Sequence, residues 1–565
     1  MNVLGRLRLL LLERTKKLFE VSDENLAHFE FKINVGTDDS FGDVSCNVAM
    51  VIAKTVGLAP REIATRLQHE LTTADIADIV AASTVAGPGF LNLTLTPKAW
   101  RVLIGELCAQ GDSFFANEPD APQHKYLIEF VSANPTGPLH LGHGRGGIIG
   151  DVLARVVSFV GHTVNKEFYV NDAGNQIKLL GQSFKVRCLQ QLGQTVALPE
   201  GGYAGAYLVE MAKDCVAEQG DKINEKSDQF FELYAKEKLL NLIKATLAEY
   251  RVTFDRWYSE KTLHDSGAID RVLGLMKDKD LVYERDGALW FRSTSFGDDK
   301  DRVVRKSNGE LTYIASDIAY HKEKFDRGYD ILIDILGHDH HGYVKRLKAT
   351  MASLGYNDDH LKVILYQLVT IKEGDVVVKM SKRAGTFTEL ADVMHTVGVD
   401  VARFFFLNRK SDAPLDFDLA TALKKTDENP VYYIQYAYVR INSLLVKASE
   451  QGFSEWIAQV KKGQLTEQDL DAAMAYVGPE EQALIKKIVA LRDVLVSMVT
   501  THQTHLLSYY ALDLAQKLHA YYTKNKVIDP AQPQMTKTRL LVVSMVHRTL
   551  GTAFDLLGID KPEKM

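Results

Sequence analysis

The pattern of hydrophobic and polar positions changes character along the 565-residue chain. From residue 25 to about residue 95, short strand-like runs alternate with helical stretches such as "CNVAMVIAKTVG" and "APREIATRLQHEL". A turn and a strand, "VAGPGFLNLTL", close this region, and the polar, proline-containing segment "ANEPDAPQHK" follows it. This pattern predicts a small α+β domain over residues 1–111.

The middle of the chain has a different pattern. An apolar run of strand length, residues 126–131, meets a turn rich in glycine and proline, and a helix-period segment follows from about residue 146 to 160. "NKEFYVNDAG", "YDILIDILGHDHHG" and "LKVILYQLVTI" each repeat an apolar run with a polar tip. Strands of one parallel sheet have this pattern when their carboxyl ends line a common crevice. We predict a Rossmann-like parallel-sheet domain over residues 112–425, with a helix-rich insertion at about 180–300.

Beyond residue 429 the strand signals vanish and apolar residues recur at helical spacing. "ALIKKIVALRDVLVSMVTTH", "LLSYYALDLAQKLHAYY" and "RLLVVSMVHRTLGTAFDLLGI" predict amphipathic helices. We therefore expect an all-α helical bundle over residues 426–565. The predicted fold class is multidomain α/β, with the parallel-sheet catalytic domain between the N-terminal α+β domain and this bundle.

Composition narrows the class of protein. The chain is 46% hydrophobic and 25% charged with only 14 prolines, as in an ordered globular protein. The apolar run near the N-terminus covers only residues 9–12, so we expect an amphipathic helix there rather than a signal peptide. We find no run approaching the roughly 18 apolar residues that span a bilayer, and expect a soluble protein with no membrane partner. The net charge of −6 neither indicates nor excludes a nucleic-acid partner.

The four cysteines lie far apart and form no C-x-x-C pair: Cys46, Cys108, Cys188 and Cys215. This spacing argues against a zinc ribbon and against a disulfide framework. It fits a protein of the reducing cytoplasm.

"ANPTGPLHLGHGRGG", residues 133–147, is the first candidate site. A metal site is one interpretation of its two histidines, but Pro138 and Gly142 disfavour a regular helix carrying both as ligands. A phosphate site is another, because the helix that follows offers free N–H groups and the positive end of its dipole. A turn in the core, with the histidines satisfied by backbone carbonyls, stays open from this stretch alone. The "HDHH" at residues 338–341 is predicted to lie at the rim of a nucleotide pocket rather than to hold zinc.

In the phosphate interpretation the glycines let a ligand approach the backbone closely, since they have no Cβ: Gly142, Gly144, Gly146 and Gly147. His140 and His143 would then donate hydrogen bonds to phosphate oxygens.

A second stretch, "VVVKMSKRAGTFTEL" at residues 376–390, contains three cations within five residues: Lys379, Lys382 and Arg383. Taken alone it is either a solvated basic turn or a mobile loop that closes over a polyphosphate. Lys382 would then stabilise the leaving pyrophosphate as a point charge. Because the two stretches follow the first and the last strand of the predicted sheet, the pair favours phosphate chemistry over either alternative.

The pair "HLGH" and "KMSKR" resembles the signature motifs of class I aminoacyl-tRNA synthetases. Further stretches are similar to bacterial-type arginyl-tRNA synthetases over essentially the whole chain: "EFVSANPTGPLHLGHGRGG", "YVNDAGNQI", "VGVDVARFFFL", "ENPVYYIQYAYVRINSLL" and "LLGIDKPEKM". Leu141 stands where the family more often has Ile or Val. The N-terminal stretches "GDVSCNVAMVIAK" and "AGPGFLNLTL" resemble the family's tRNA-contacting module.

The resemblance implies that arginine and ATP give arginyl-adenylate, and that the arginyl group passes to arginine tRNA. It also implies activation that depends on bound tRNA, a monomer, and Mg²⁺ held mainly by ATP phosphates, with no protein ligand to the metal. The implied catalytic residues are His140, His143, Lys379 and Lys382. The implied ATP contacts are Gly142, Gly337, Asp339, Met380 and Ser381. The implied arginine contacts are Glu129, Asn134, Tyr313 and Asp317.

The helical C-terminal region resembles the family's anticodon-binding domain. Six tyrosines could stack on bases there: Tyr432, Tyr433, Tyr436, Tyr438, Tyr521 and Tyr522. Aromatic residues at helical spacing more often pack in a core, so we predict RNA contacts only for Tyr438, Tyr522, Lys524 and Lys526.

Two rival functions remain in view. A small-molecule nucleotidyltransferase also uses an H-x-G-H turn, but it would have no use for the C-terminal bundle. A non-catalytic paralogue would be expected to lack His143 or Lys382, and the sequence has both.

Overall fold

The computed structural model describes residues 2–26, 28–36, 41–71, 74–116, 121–357, 359–374, 376–377 and 389–565. The chain divides into two compact units. The first comprises residues 1–122, 425–501 and 506–565, and the second comprises residues 123–424 and 502–505. The three-domain division at residues 111 and 425 stays a prediction.

The N-terminal part of the first unit is an α+β structure, as predicted. Its antiparallel sheet has the strand order β1-β2-β4-β3, with β1 (Phe31–Ile33), β2 (Val44–Cys46), β3 (Val80–Ala86) and β4 (Phe90–Leu95). Its helices are α1 (Val3–Phe19), α2 (Val48–Val56), α3 (Pro60–Glu70), α4 (Ala74–Ala77) and α5 (Pro97–Gln110). The N-terminal segment forms the expected helix α1, with Leu7 and Leu11 buried on one face.

The core of the second unit is a five-stranded, fully parallel sheet with the order β12-β11-β5-β6-β7. Its strands are β5 (Lys125–Glu129), β6 (Thr163–Val170), β7 (Arg256–Ser259), β11 (Ile331–Gly337) and β12 (Leu361–Tyr366). The Rossmann-like prediction is therefore confirmed. All five carboxyl ends lie at one edge, where parallel α/β sheets bind ligands.

The stretch at 180–300 is less uniform than predicted. Three helices pack together around buried Cys188 and Cys215: α7 (Asn175–Gln191), α8 (Ala206–Gln219) and α9 (Asp228–Glu249). The chain then contributes β7 to the main sheet, where it pairs in parallel with β6 from Glu167↔Arg256 to Val170↔Ser259. After α10 (Lys261–Asp265) and α11 (Ala268–Asp278), it forms an antiparallel sheet of β8 (Val282–Arg285), β9 (Ala288–Phe291) and β10 (Arg302–Arg305).

Two boundaries differ from those predicted. The helix expected from residue 146 is α6 (Leu141–Phe159), which begins five residues earlier because His140 caps its first turn. The run "LKVILYQLVTI" is two strands in two sheets, because Gln367 and Leu368 separate β12 from β13 (Val369–Glu373). Strand β13 pairs with β14 (Val376–Val377) and, in parallel, with β15 (Leu415–Asp418). The remaining helices of this unit are α12 (Tyr313–Asp326), α13 (His341–Leu354), α14 (Leu390–Val397), α15 (Val399–Leu407) and α16 (Leu419–Ala422).

The C-terminal part of the first unit is helical, as predicted. Its helices are α17 (Pro430–Ala448), α18 (Ser454–Lys462), α19 (Glu467–Met474), α20 (Pro479–Val489), α21 (Leu491–Thr501), α22 (His505–Lys524) and α23 (Pro533–Leu557). Two polar contacts join it to the N-terminal part of the same unit: Lys486 Nζ lies 2.7 Å from Asp43, and the backbone N–H of Ile33 donates to Asp493 at 2.9 Å.

Helix α23 corrects one expectation. Among the described residues it is the one helix long and apolar enough to cross a membrane, although the sequence was expected to hold no such segment. Buried positions make up 83% of its apolar window, as in the core helix of a bundle.

Candidate active site

The loop between β5 and α6 is under backbone strain. Val131 and Ser132 both have positive φ, 66° and 40°, and a β-branched residue rarely adopts that conformation. The Ser132 hydroxyl donates to Glu129 at 2.9 Å and accepts from the backbone N–H of Tyr169 at 3.1 Å. These bonds tie the loop to the ends of β5 and β6. Strain of this kind collects where the surrounding structure holds a functional geometry.

The two predicted histidines form the first turn of α6. His140 is the N-cap, and its Nδ1 accepts from the backbone N–H of Gly142 at 3.1 Å. His143 Nδ1 accepts from the backbone N–H of His140 at 3.3 Å, and the two rings stack with centroids 3.6 Å apart. Both rings therefore accept bonds from N–H groups rather than donate to carbonyls. This geometry differs from the core-turn interpretation, in which backbone carbonyls satisfy the histidines. It also places His143 inside a helix, although Pro138 and Gly142 disfavour a regular helix through both histidines.

Burial keeps both imidazoles uncharged. It lowers the pKa of His143 to about 3, and the neighbouring His140 ring adds to the effect. Burial also lowers the pKa of His140, against an opposing effect of Asp339. A neutral imidazole carries one proton, and since Nδ1 is the acceptor in each ring, that proton sits on Nε2. Each histidine therefore offers one neutral Nε2–H donor.

The glycines of α6 serve packing more than ligand approach, which corrects the prediction for two of them. A Cβ on Gly144 would lie 2.5 Å from Leu390, and one on Gly146 would lie 2.7 Å from the ring of Tyr366. Gly150, which had not been singled out, has the Phe130 ring at 2.2 Å from an ideal Cβ. At Gly142 the nearest atoms belong to the His140 ring.

The basic loop itself lies outside the described residues, and with it Lys379, Met380, Ser381 and Lys382. The flanking chain is described on both sides. Before the loop, β13 and β14 pair antiparallel. After it, Glu389 forms a β-bridge with His140, and the backbone N–H of Leu390 donates to Leu139 at 2.8 Å. The chain that leaves the loop is thus joined directly to the histidine turn.

The predicted adenosine contacts lie at the same sheet edge. Gly337 ends β11, and an added Cβ would lie 2.5 Å from Asp339 Oδ1 and 3.8 Å from the Tyr366 hydroxyl. The Asp339 side chain is exposed, and its charge partly opposes the lowering of the His140 pKa that burial causes. Among the residues described, no three His, Cys, Asp or Glu side chains are grouped as ligands for a metal ion.

Glu129, one of the predicted arginine contacts, is held in place by a cation. Its Oε2 pairs with Lys324 Nζ, and Lys324 also reaches Asp334 at 2.9 Å. Lys324 is fully buried, and its two carboxylate neighbours raise its pKa against the cost of burial. The charge of Glu129 is therefore compensated before any ligand binds.

Asp317, the other predicted carboxylate, has no such cation. The Tyr343 hydroxyl donates to its Oδ2. Burial raises the pKa of Asp317, and Glu129 and Asp334 add to the rise. No Lys or Arg of the described chain lies within ion-pair distance of it.

Glu260 is a third carboxylate of this pocket, which the sequence did not reveal. It directly follows β7 and is buried. Burial raises its pKa to about 7, with Asp317 and Asp172 as further causes, while hydrogen bonds from Tyr169 and Ser316 oppose the rise. His264, at 3.8 Å, is the one basic side chain of the described residues within ion-pair distance of Glu260. The position of Glu260 at the end of a sheet strand could have indicated a role in the site, but β7 has only four residues and was not recognised as a strand in the sequence.

Asn134 and Tyr313, the other two predicted arginine contacts, are both exposed. Asn134 is exposed, and its backbone carbonyl accepts from Thr136 at 2.8 Å. Tyr313 begins α12 one turn before Asp317, with its side chain 77% exposed. Both side chains are open to a ligand rather than packed into the core.

The predicted RNA contacts of the helical region fall into two groups. Tyr438 packs internally, with its ring stacked 4.0 Å from His547 and tilted against Phe554. Tyr522 instead lies beneath the Arg440 guanidinium, whose Cζ is 3.7 Å from the centroid of the tyrosine ring. A groove of about 780 Å³ is lined by Tyr522, Lys524 and Lys526, together with Arg440 and Lys447.

A second cavity, of about 430 Å³, is lined by Asp427, Tyr432, Tyr433, Tyr436 and His519. The ring of Tyr436 stacks on His519 with centroids 5.7 Å apart, and its side chain is 44% exposed. Tyr521, in contrast, is buried and donates to Glu481 at 2.7 Å. Helical spacing alone did not distinguish the exposed ring of Tyr436 from the buried ring of Tyr521.

Family models match the chain in three consecutive segments. They are described as "Arginyl tRNA synthetase N terminal domain" over residues 6–95, "tRNA synthetases class I (R), catalytic domain" over 110–413, and "DALR anticodon binding domain" over 434–565. The catalytic match covers more than half of the chain. The chain belongs to the arginyl-tRNA synthetase family.

Individual relatives agree with this assignment. The arginine–tRNA ligase of Nitratidesulfovibrio vulgaris (strain DP4) is 42% identical over 529 residues, which is 93% of this chain and 94% of that protein. That of Solidesulfovibrio magneticus is 44% identical over 537 residues, 94% of each chain. The Thermus thermophilus arginyl-tRNA synthetase structure shares the fold, with a TM-score of 0.72 at 23% identity, covering 98% of this chain and all of that one.

For this synthetase, the structure brings most of the predicted residues of the sheet domain to one edge of the parallel sheet. They are His140, His143, Gly142, Gly337, Asp339, Glu129 and Asp317. The residues that contact and support them were not predicted: Ser132, Lys324, Tyr343 and Tyr366. The third carboxylate, Glu260, was not predicted either.

Proposed function

We propose that this site performs the two steps of an arginine–tRNA ligase: ATP-dependent activation of L-arginine, and transfer of the arginyl group to arginine tRNA with release of AMP. The chain is an aminoacyl-tRNA synthetase by family. The observation that carries the residue roles is a pair of carboxylates without a Lys or Arg partner among the described residues, half-buried Asp317 and buried Glu260, in the sheet domain that carries the neutral histidine turn.

In the first step the arginine carboxylate attacks the α-phosphorus of ATP, and the bond to pyrophosphate breaks. This carboxylate is ionised at neutral pH, so the step needs positioning and charge stabilisation rather than a general base. His140 and His143 supply neutral Nε2–H donors to the phosphate oxygens, at the end of α6 where the helix dipole is positive. Such donors stabilise charge as it develops without having to reorganise.

The basic loop acts on the other side of the α-phosphorus. In this proposal Lys379 and Lys382 hold the departing pyrophosphate, and Met380 and Ser381 contact ATP beside them. The β-bridge between Glu389 and His140 supports the proposal, since it brings the chain leaving the loop to the histidine turn.

The adenosine lies between the start of α6 and the end of β11. Gly142 and Gly337 let it approach the backbone, and Asp339 accepts from the ribose hydroxyls. Mg²⁺ enters with ATP as part of the substrate, coordinated by phosphate oxygens and water.

The arginine side chain is recognised by charge and by geometry. A planar guanidinium is best bound by carboxylates that accept two parallel bonds. Asp317 and Glu260 provide them, and Glu129 contributes from a position fixed by Lys324 and Ser132. Asn134 holds the α-amino or carboxylate end of the arginine substrate. Tyr313 packs on the side chain of the same arginine.

In the second step a hydroxyl of the 3′-terminal adenosine of the tRNA attacks the activated carbonyl, and AMP leaves. The helical region binds the anticodon part of the tRNA. Tyr522, Lys524 and Lys526 line a groove with further cations, which supports phosphate and base contacts there. Tyr438 is kept as a fourth RNA contact, although its ring is packed against His547. We expect a monomer that works in the cytoplasm.

Charging of tRNA tests this function. Arginine tRNA transcript, ATP, Mg²⁺ and labelled amino acid are incubated with the full chain, and label in the tRNA is counted. Arginine should be incorporated, and lysine or citrulline should not. Failure to incorporate arginine would refute the proposal.

A further inference from the structure

Arg145 is a buried cation in the second turn of α6, two residues after His143. It has no exposed surface and is among the largest fully buried side chains of the described chain. Burial lowers its pKa to about 10, while Tyr366 and Asp412 oppose that effect. No carboxylate of the described residues lies within ion-pair distance of it, in contrast to Arg403, which pairs with buried Asp151 at 2.6 Å.

The guanidinium binds backbone carbonyls instead. Its Nη1 donates to the carbonyls of Gln367 at 2.8 Å and Ala413 at 2.9 Å, and its Nη2 donates to that of Lys410 at 2.9 Å. A fork of rigidly spaced donors can meet three acceptors at once, which a lysine ammonium on a flexible stem does less well. The arrangement therefore depends on arginine in particular.

The three carbonyls belong to two segments that lead into the same small sheet. Gln367 lies two residues before β13, and Ala413 lies two residues before β15, which pairs with β13 in parallel. Strand β13 continues through β14 towards the basic loop. The Gln367 side chain also reaches His338 Nδ1 at 2.9 Å, at the rim of the adenosine edge.

The chain on the far side of the loop is attached to the same turn. Glu389 bridges His140, and Leu390 binds the carbonyl of Leu139. The start of α6 thus contacts the described chain on both sides of the loop, through main-chain pairing after it and, before it, through Arg145 at the segment that leads into β13.

We propose that Arg145 is a positioning residue that fixes the root of the basic loop relative to His140 and His143, so that the lysines of the loop and the histidines reach the phosphates of one ATP. The inference rests on the proposed function, since it assigns the loop lysines to the pyrophosphate. Arg145 touches no substrate in this account and acts through β13 and β15.

A double-mutant cycle between Arg145→Lys and Lys382→Ala tests the proposal. Arginine-dependent ATP–pyrophosphate exchange is measured with tRNA present for the wild type, both single variants and the double variant. Arg145→Lys should lower kcat/KM for ATP on the order of 10²-fold, as a small misplacement of catalytic groups does. In the Lys382→Ala background, Arg145→Lys should lower kcat/KM for ATP by only about threefold or less, because the lysine that Arg145 helps to position is already absent. Arginine affinity measured by calorimetry should stay within about twofold.

Arg403→Lys is the matched control, because it alters an equally buried arginine whose partner Asp151 lies further along α6. Its effect on activity should be the same in both backgrounds. An Arg145 effect that is equal in both backgrounds, or a loss of arginine affinity as large as the loss of activation, would overturn the proposal. A wild type that fails to activate arginine would instead refute the proposed function.

A second test of the Arg145 proposal measures proteolysis and does not require enzymatic activity. Trypsin cleavage within residues 379–383 is followed with and without ATP for the wild type and for Arg145→Lys. Protection by ATP should be reduced in the variant while its melting temperature stays close to that of Arg403→Lys. Equal protection in both proteins would contradict the proposal.

Discussion

The histidine turn and the carboxylate pocket lie in the same unit but are built in opposite ways. The turn is made of consecutive residues, and its geometry comes from local bonds between two imidazoles and the first backbone N–H groups of α6. The pocket is assembled from three places in the chain, since Glu129, Glu260 and Asp317 lie on β5, after β7 and on α12. A site made of consecutive residues can be recognised in a sequence, whereas a site whose residues are far apart in the chain can be recognised only once the fold is known.

Their electrostatics also differ. The histidine turn carries no charge on its imidazoles, because burial lowers the pKa values of His140 and His143. The pocket instead gathers carboxyl groups, with Lys324 offsetting Glu129 and Asp334 but with no lysine or arginine of the described chain offsetting Asp317 or Glu260, whose pKa values are raised. Neutral donors suit an oxygen whose charge develops during reaction. Surplus carboxylates suit a substrate that arrives charged.

Asp317→Asn should have the largest effect and should act on arginine alone. Removing one partner of a buried charge pair costs about 2–5 kcal/mol, so the KM for arginine should rise on the order of 10²–10³-fold. The KM for ATP should change little, as measured by pyrophosphate exchange. Asp326→Asn, on the exposed end of the same helix, is the control. An equal rise in the KM for ATP would contradict the assignment of the carboxylate pocket to arginine and of the histidine turn to ATP.

His143→Ala should give the reverse pattern. Loss of one preorganised donor typically costs about 10²–10³-fold in kcat, with the arginine KM nearly unchanged. His143→Gln, which can place an amide donor near the former Nε2, should recover part of the loss. Since the ring is neutral in the folded protein, kcat should not fall as pH rises through the ordinary histidine pKa. Steady-state exchange across this pH range checks both points, and a fall over it would show that a charged imidazole is required.

Glu260 makes arginine binding depend on pH. Its pKa is raised to about 7 in the free protein, so the carboxyl is largely protonated below that pH. A guanidinium binds the carboxylate form, and binding therefore releases a proton. Arginine affinity should increase as pH rises from about 6 to about 8, by at most tenfold per pH unit. Calorimetry should show a weaker and flatter dependence for Glu260→Gln, and an unchanged slope in that variant would exclude Glu260.

Lys526→Ala should have the smallest effect and should spare activation. Loss of one phosphate contact should weaken tRNA binding by about three- to fivefold and lower the salt dependence by about one counterion. Arginine activation at saturating tRNA should not change. Lys462→Ala, an exposed cation of α18 outside the groove, is the control. Filter binding at several salt concentrations measures the effect, and equal losses in the two variants would refute a specific contact.

The parts predictable from sequence are those set by local pattern. Strands β5 and β11, the histidine turn and the C-terminal helices follow from periodicity and from residues adjacent in the chain. The start of α6 could not be predicted, because its glycines argue against a helix until Leu390 and Tyr366 are seen to fill the space beside Gly144 and Gly146.

The rest required tertiary structure. Strand β7 has only four residues, and this hid both its place in the main sheet and the position of Glu260 at its end. Lys324 looks like an ordinary helix cation in the sequence, yet it is fully buried between two carboxylates. Helix α23 is apolar because it is a core helix, which its sequence alone does not distinguish from a membrane span.

Amino-acid-dependent ATP–pyrophosphate exchange tests the central claim most directly. Arginine, its neutral isostere citrulline, and lysine are each assayed with and without arginine tRNA. Exchange should depend on arginine and on the presence of tRNA, and citrulline should be lower by about 10³-fold or more, because it offers no cation to Asp317 and Glu260. No arginine-dependent exchange even with tRNA, or exchange with citrulline equal to that with arginine, would contradict the account.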